Sequence, residues 1–216
     1  MPSRYCVVNP SPARVWQAIA AFVIAATWSA ALAAQAARPG NHQVMPQLPG
    51  ANHGPCGSCA APRTLASSTV VVSSSEPGEP LDMTGILYRA DGVTPASGML
   101  LFVYHTDSRG QYNDRGDERD PRLRGWMRTG PDGRYRFRTI RPAPYPRHTI
   151  PAHIHATTSG PGCAERWVDD YRFEDDPLLT SAERDSAGAR NASVVRLARD
   201  GAGVWHGTRD IIIACG

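Results

Sequence analysis

Two histidines, two positions apart, end a proline-rich segment that is dense in side chains able to bind a metal. The segment covers Pro142–His155 and reads Pro-Ala-Pro-Tyr-Pro-Arg-His-Thr-Ile-Pro-Ala-His-Ile-His. Where its end forms a β-strand, His153 and His155 project from one face and Ile154 projects from the other. The prolines stiffen the approach and hold Tyr145 nearby. Two imidazoles on one face of a strand provide half of a metal site.

Histidines at this spacing also line solvated strand faces, and other metalloproteins use the same pair. A cupin site needs a glutamate a few residues after the second histidine, but residues 159–161 are Ser-Gly-Pro and Glu165 follows a turn. A zinc hydrolase needs a carboxylate or a third histidine, and none stands at a suitable spacing. The remaining histidines are expected to be structural or exposed: His42, His53, His105, His148 and His206.

The segment and its flanks resemble the intradiol ring-cleavage dioxygenases over roughly Met83 to Leu179. Thr139–Pro146 and Pro151–His155 carry the resemblance, supported by Thr129–Phe137 before them and Phe173–Leu178 after them. Each motif alone is moderately specific, whereas all four in this order are strongly indicative. Members of the family hold non-haem ferric iron between two tyrosines and two histidines.

The resemblance implies which side chains of this chain bind the iron. The family's first tyrosine follows a core strand in a Gly-x-Tyr setting, and Gly110-Gln111-Tyr112 matches that setting. Tyr104 is the rival, but it lies inside the apolar run Met99–Tyr104, where tyrosine more often packs. The implied ligands of Fe(III) are Tyr112, Tyr145, His153 and His155.

The resemblance also implies the reaction. A catechol-type substrate would be cleaved with O2 to a cis,cis-muconate-type product, with Tyr145 leaving the iron to accept a substrate proton. The iron remains formally ferric, so neither a reductant nor a nicotinamide is needed. Phenolate oxygen suits a hard ferric ion, which must in turn lower the tyrosine pKa from about 10.

Two departures from the family pattern leave the substrate open. Ile150 stands next to the Pro-Ala-His-Ile-His motif, where family members usually carry an arginine that stabilises charge on the substrate ring. Arg147 is a catalytic candidate for that cation, and the alternative is a solvated loop arginine. Asp170 replaces a glutamine often found before the Phe-Glu-x-Asp-Pro segment. Which catechol is the substrate therefore stays undetermined.

The composition of the 216-residue chain excludes several function classes. Lysine is absent, so all 23 basic residues are arginine and lysine-based catalysis is excluded. Arg4 and Arg14 precede the apolar run Ala18–Ala33 and small residues that suit a cleavage site, so residues 1–36 are predicted to be an export signal. The alternative is an uncleaved membrane anchor. The remaining chain is nearly neutral, which offers no electrostatic basis for nucleic-acid binding. We expect a secreted or periplasmic protein with no membrane association after cleavage.

Four cysteines remain beyond the predicted signal: Cys56, Cys59, Cys163 and Cys215. In an oxidising compartment they predict two disulfides, with three possible connectivities. A zinc ribbon would need a second closely spaced pair, and a thioredoxin-like pair would lie between a strand and a helix. Structural disulfides are therefore favoured.

The pattern of short apolar runs predicts an all-β fold. Residues 37–66 form an irregular Pro/Gly-rich arm, and residues 67–216 form an antiparallel β-sandwich of the intradiol dioxygenase type. Leu178–Ala189 gives the one helical signal. The alternative function on the same fold is a non-catalytic transthyretin-like binding module. The sequence is compatible with a homo-oligomer but leaves the oligomeric state open. Predicted strands are Ser68–Ser73, Leu81–Tyr88, Met99–Tyr104, Arg134–Thr139, Ala152–Thr158, Ser193–Leu197 and Val204–Ile213.

Overall fold

The computed structural model describes residues 54–147 and 149–215. The predicted signal segment and the first part of the arm lie outside the described residues. Within the described ranges, two β-sheets account for most of the regular structure. The elements are a 3₁₀ turn over Ser58–Ala60, helix α1 over Ser181–Asp185, and strands β1 Ser68–Val70, β2 Pro80–Tyr88, β3 Leu100–His105, β4 Leu123–Arg128, β5 Arg134–Ile140, β6 His153–Gly160, β7 Cys163–Phe173, β8 Val194–Val195, β9 Leu197–Arg199, β10 Trp205–Thr208 and β11 Ile211–Ile212.

The two sheets confirm the predicted all-β fold. The first has the strand order β1-β5-β2-β10-β9, with β11 added to β2, and the second has the order β4-β3-β6-β7-β8. The long central pairs β2–β5, β3–β4, β3–β6 and β6–β7 are antiparallel. The short pairs β1–β5, β2–β10, β2–β11 and β7–β8 are parallel, so both sheets are mixed at their edges.

Strand β5 shows why the alternating sequence forms a sheet with one dry face. Tyr135 and Phe137 are buried, while Arg134, Arg136 and Arg138 are exposed between them. Because successive side chains point to opposite faces, the apolar set enters the core and the arginines face water.

One hydrophobic core fills the space between the sheets. Strand β2 contributes Leu81 and Met83, β3 contributes Leu101 and Val103, and β6 contributes Ile154. All five side chains are almost fully buried. Burying each such side chain stabilises the fold by roughly 1.5–3 kcal/mol. The core therefore holds β3 and β6 by their inner side chains and leaves their outer side chains to form a second surface.

Several elements differ from the sequence-based expectation. The predicted strand Ser193–Leu197 is divided between β8 and β9, and Val204–Ile213 is divided between β10 and β11. Strand β4 was not predicted, and neither was β7, whose charged residues interrupt the alternation of apolar side chains. Helix α1 occupies the middle of the predicted helical segment. It begins at a capping box in which the Thr180 hydroxyl accepts from the Glu183 N–H and the Glu183 carboxylate accepts from the Thr180 N–H.

The four cysteines form two disulfides, Cys56–Cys59 and Cys163–Cys215. The first closes a small loop in the arm, and the second ties the start of β7 to the end of the chain. This resolves the connectivity that the sequence left open. Among the described residues, helices are too short to cross a bilayer.

We predict that Gly85→Ala strongly destabilises the protein. A Cβ at position 85 in β2 would lie 1.8 Å from the carbonyl oxygen of Arg209 and 2.7 Å from the hydroxyl of Tyr135. The first neighbour is backbone, so β2 or the segment after β10 must move. We expect the free energy of unfolding to fall by about 1–3 kcal/mol or more, measured by denaturant titration.

The matched control is Gly201→Ala, where an added Cβ meets nothing within 4 Å. That variant is expected to unfold within about 0.5 kcal/mol of the parent. Equal stability of the two variants would contradict the proposed close approach at Gly85.

Candidate metal centre

The outer face of the second sheet carries the two histidines of the His-x-His motif. In β6, Ile154 packs into the core, while His153 and His155 project from the opposite face. The neighbouring strand β3 pairs Tyr104 with His155. Both strands are anchored from behind by the core, so the imidazoles stand on a rigid surface.

The loop between β3 and β4 presents Tyr112 to this face. The Asp107 carboxylate accepts the N–H of Gln111 at 3.0 Å and so tightens the loop before the tyrosine. The Asn113 amide donates to the carbonyl of Asp120 at 2.9 Å and closes the loop after it. Tyr112 is 6% exposed as a result.

The segment that carries Tyr145 packs directly against the same loop. The Thr106 hydroxyl donates to the carbonyl of Ala143 at 2.8 Å. Gly110 has a φ of +78°, and a Cβ there would lie 2.2 Å from the carbonyl oxygen of Pro144. A glycine is therefore required on both conformational and steric grounds, and its absence of a side chain lets the loop approach the segment of Tyr145.

Four donor atoms converge at this place. The Tyr112 hydroxyl lies 2.8 Å from Nε2 of His155 and is hydrogen-bonded to the Tyr145 hydroxyl. The Tyr145 oxygen lies 3.3 Å from Nε2 of His153 and 3.4 Å from Nε2 of His155. The two Nε2 atoms are 3.1 Å apart. The structure thus brings together all four side chains that the sequence resemblance singled out as ligands.

The second nitrogen of each imidazole fixes its tautomer. Nδ1 of His153 lies 2.7 Å from the carbonyl oxygen of Pro151, and Nδ1 of His155 lies 2.8 Å from a carboxylate oxygen of Asp170. Both partners only accept, so both Nδ1 atoms must donate. In the neutral form of each ring, the lone pair of Nε2 then points toward the other Nε2 and the two phenolic oxygens, a position where a cation would be bound.

A β-bulge places Asp170 against the histidine. Ile154 pairs with Tyr171 and Ala156 pairs with Val168, so two residues of β7 stand opposite the single residue between Ile154 and Ala156. Val168 and Tyr171 both contact the core. The additional residue turns Asp170 to the outer face without disturbing that packing, as bulges beside active sites often do.

Burial keeps the two phenols protonated when no cation is near. Burial raises the pKa of Tyr145 to about 12, although the hydrogen bond from Tyr112 opposes the rise. Burial raises the pKa of Tyr112 further, and the nearby Glu118 carboxylate adds to the effect. Burial also lowers the pKa of His153, followed by the effect of neighbouring His155, so this imidazole is neutral. Imidazole nitrogens together with phenols that need a positive charge to ionise are a donor set suited to a hard metal ion.

Asp170 offers another combination of metal donors with the two histidines. Ligand atoms of His153, His155 and Asp170 lie within 4.8 Å of one another. However, the carboxylate contacts Nδ1 of His155, whereas the Nε2 atoms meet the oxygens of Tyr112 and Tyr145. The position between the two Nε2 atoms and the two phenolic oxygens is therefore better suited to a metal, and Asp170 orients the ring.

Three further side chains border the four donors: sequence reasoning weighed Tyr104 only as a rival ligand and gave Glu118 and Trp167 no role. Tyr104 stacks on the His155 ring with centroids 4.7 Å apart and donates to Glu118 at 2.8 Å. An oxygen of Glu118 lies 3.6 Å from Nε2 of His155. Trp167 meets the His155 ring edge to face at 6.0 Å. Glu118 lies in a run of mixed charges that looks like an ordinary solvated loop, so the sequence carries little signal for it.

The disulfide loop of the arm covers the neighbouring part of the same face. The Glu165 carboxylate accepts the N–H of Gly57 at 2.8 Å, and the Trp126 indole donates to the carbonyl of Gly57 at 2.8 Å. A Cβ at Gly57 would lie 2.4 Å from the Phe102 ring. The Cys56–Cys59 loop therefore lies flat on the aromatic surface next to the site.

Arg147 is not brought against the four donors. It lies in an exposed turn, and within the described part of the chain its guanidinium makes no hydrogen bond or ion pair. Ile150 is also largely exposed. The catalytic role expected for Arg147 stays a prediction.

Two other histidines have the structural or exposed positions expected of them. His105 is fully buried between the carbonyl of Thr106 and the hydroxyl of Thr139, and burial lowers its pKa to about 4. His206 is exposed and pairs with Asp200. The rest lie outside the described residues: His42, His53 and His148.

Comparison with known proteins agrees with this geometry. A family model described as "Dioxygenase" matches residues 53–204, more than two thirds of the chain. This chain belongs to the intradiol ring-cleavage dioxygenase family. It is 30% identical over 131 residues to catechol 1,2-dioxygenase 1 of Acinetobacter lwoffii, covering 52% of this chain and 42% of that enzyme. It is 34% identical over 120 residues to the protocatechuate 3,4-dioxygenase beta chain of Burkholderia cepacia, covering 50% and 51%. This family member therefore spans about half the length of these curated relatives.

Solved structures of dioxygenases share the fold of this family member. The dioxygenase domain of a dioxygenase carbohydrate-binding protein fusion from Streptomyces sp. SirexAA-E matches with a TM-score of 0.55 and 25% identity, covering 80% of this chain and 99% of that domain. Catechol 1,2-dioxygenase from Acinetobacter sp. ADP1 matches with a TM-score of 0.55 and 22% identity, covering 69% and 57%. At that identity the second match supports the fold alone.

We predict that Gly110→Ala separates the two tyrosines. The added methyl must displace the Pro144 carbonyl, and with it the segment that carries Tyr145. We expect the free energy of unfolding to fall by about 1–3 kcal/mol beyond the cost of the backbone conformation. The measurement is denaturant unfolding together with a crystal structure of the variant.

Gly98→Ala isolates the backbone cost, because Gly98 has a φ of +72° but open space around its Cβ position. It should lose about 1–2 kcal/mol. A Gly110→Ala protein that is as stable as Gly98→Ala and keeps both tyrosines in place would refute this role for the glycine.

Proposed function

We propose that this chain is a non-haem Fe(III) intradiol dioxygenase that cleaves a catechol-type ring with O2 to a cis,cis-muconate-type product. The observation that supports it best is the convergence of two phenolic oxygens and two imidazole Nε2 atoms within 3.4 Å contacts. In the reaction, the ring C–C bond between the two hydroxylated carbons breaks and both oxygen atoms of O2 enter the product. The ring supplies the electrons, so no external reductant is consumed.

In this proposal the iron ligands are Tyr112, Tyr145, His153 and His155. Bound ferric iron supplies the positive charge that ionises the phenols and the Lewis acidity that activates the substrate ring toward O2. The Pro151 carbonyl and the Asp170 carboxylate hold the two imidazoles with Nε2 directed at the metal position. The ligands are thus oriented before the metal arrives.

Tyr145 is the tyrosine better suited to accept a proton from the substrate. It is half-buried, whereas Tyr112 is almost fully buried and held by the loop on both sides of it. Away from a metal, burial raises the pKa of Tyr145 to about 12, compared with about 10 for an unperturbed phenol. As a phenolate, Tyr145 would therefore be a stronger base than an ordinary phenolate and could take a proton from a catechol hydroxyl.

We also propose that the protein acts outside the cytoplasm. The export signal predicted in residues 1–36 supports this location, and so do two disulfides in the described residues. Disulfides of this kind persist in oxidising compartments and are rare in the cytosol.

Purified, iron-loaded protein is expected to be red and to consume O2 with catechols. The colour arises from charge transfer between tyrosinate and Fe(III), and a non-catalytic binding module or a zinc enzyme would be colourless. His153→Ala should lose the iron because one of four ligands is removed. Tyr145→Phe should shift the visible band and slow turnover by roughly 10²–10⁴-fold. The measurements are metal content, visible spectra and oxygen uptake with a panel that includes catechol, protocatechuate and hydroxyquinol.

The matched controls are His206→Ala and Tyr88→Phe, which change the same residue types outside the site. Both should keep colour, iron and turnover. Full iron and full activity in His153→Ala would show that the ligand assignment is wrong.

Arg147→Ala tests whether this arginine stabilises charge on the substrate ring. If it does, kcat/KM for catechols falls while iron content and the visible spectrum stay constant, because Arg147 is not a ligand. Unchanged kinetics would leave Arg147 as a solvated turn residue, in keeping with its exposure.

A further inference from the structure

Two carboxylates flank the same imidazole of the site. An Asp170 oxygen lies 2.8 Å from Nδ1 of His155, and a Glu118 oxygen lies 3.6 Å from Nε2 of the same ring. The side chains are 36% and 32% exposed, respectively. Glu118 therefore lies beside the Nε2 atoms that meet the phenols, and Asp170 lies on the other side of the same ring, with both carboxylates partly open to solvent.

Glu118 is held in that position rather than free to swing into water. The Tyr104 hydroxyl donates to it at 2.8 Å, and Tyr104 is itself fully buried and stacked on the His155 ring. The other neighbour of Glu118 is Nε2 of His155 at 3.6 Å, the same nitrogen that the Tyr112 hydroxyl contacts at 2.8 Å. The negative charge of Glu118 is a fixed feature of the site.

Two arginines lie on the same face, opposite Tyr104 and His153, but each is neutralised by its own carboxylate: Arg124 pairs with Asp120 at 3.0 Å, and Arg172 pairs with Glu183. Arg147 lies in an exposed turn, and Ile150 is uncharged. Arg209 has a favourable electrostatic effect on Asp170, but its guanidinium lies over the ring of the core residue Tyr171. Arg209 therefore lies on the core side of the second sheet, whereas the four donors lie on its outer side.

An aromatic side chain completes this border. Trp167 is 36% exposed, and its ring lies 6.0 Å from the His155 ring and 6.2 Å from the Tyr104 ring. A partly exposed indole face attracts a cation and gives an anion no comparable interaction.

We propose that Glu118 and Asp170 make this site select against catechols with an anionic ring substituent and favour those with a cationic one, such as an alkylammonium group. This inference rests on the proposed function. A carboxylate substituent on the ring would be repelled by the carboxylates of Glu118 and Asp170. An ammonium substituent would be attracted by both carboxylates and by the indole of Trp167. Repulsion and attraction therefore both contribute to specificity.

The test compares kcat/KM for three catechols that carry different charges at the same ring position: 3,4-dihydroxybenzoate, 4-methylcatechol and dopamine. We expect dopamine to exceed 3,4-dihydroxybenzoate by about tenfold or more at low ionic strength, with 4-methylcatechol between them. Salt should reduce the ratio, because the carboxylates are partly exposed and therefore screened.

Glu118→Gln removes one charge while keeping the shape and the acceptor for Tyr104. We expect it to reduce the dopamine to 3,4-dihydroxybenzoate ratio several-fold and to leave the iron content unchanged. The control is Glu174→Gln, since Glu174 is equally exposed at 31% and pairs with Arg196 away from the site. Asp170 is not varied, because it also orients His155.

The outcomes separate this inference from the function on which it rests. A colourless protein that turns over none of the three catechols overturns the proposed function. A red, active protein that prefers 3,4-dihydroxybenzoate, or whose ratio Glu118→Gln does not change, overturns only the charge selection. Loss of iron in Glu118→Gln also overturns it, because Glu118 would then act as a metal ligand.

Discussion

The candidate centre depends on the two hydrogen bonds that hold His153 and His155 as Nδ1–H tautomers. Their acceptors are of different kinds, a backbone carbonyl two residues earlier and a carboxylate on the neighbouring strand. In a neutral ring whose Nδ1 donates, Nε2 presents a lone pair, and both Nε2 atoms face the two phenols. Every other feature of the site, including the bulge in β7 and the loop that carries Tyr112, positions groups around that fixed pair.

The two faces of the second sheet have different roles. The inner residues of β3 and β6 belong to the hydrophobic core, and the outer residues form an aromatic and polar surface that the loops cover. Because interiors pack densely, the backbone of both strands can move little. Donor atoms on such strands keep their separation, which is the property a metal-dependent reaction requires of its scaffold.

The sequence predicts much of this arrangement because local patterns determine it. Alternation in β5 and the His-x-His spacing in β6 need only the period of a strand, and the four cysteines needed only their number to predict two disulfides. The features that the sequence did not predict depend on contacts between residues far apart in the chain. The bulge breaks the alternation of β7, so the strand that bears Asp170 and Trp167 is hidden from a pattern search. Glu118 becomes part of the site only because Tyr104, fourteen residues earlier, binds it across the fold. The disulfide pairing likewise depends on the fold bringing β7 to the chain end.

The attachment of the Cys56–Cys59 loop has a consequence for the limits of the domain. Phe102 and Trp126 lie on the outer side of their sheet, away from the main core, and the loop held by Glu165 is what packs on them. A shortened chain that starts at β1 would keep every strand yet present these rings to water as an apolar patch, a feature that promotes self-association. The minimal soluble unit of this fold therefore begins before its first strand.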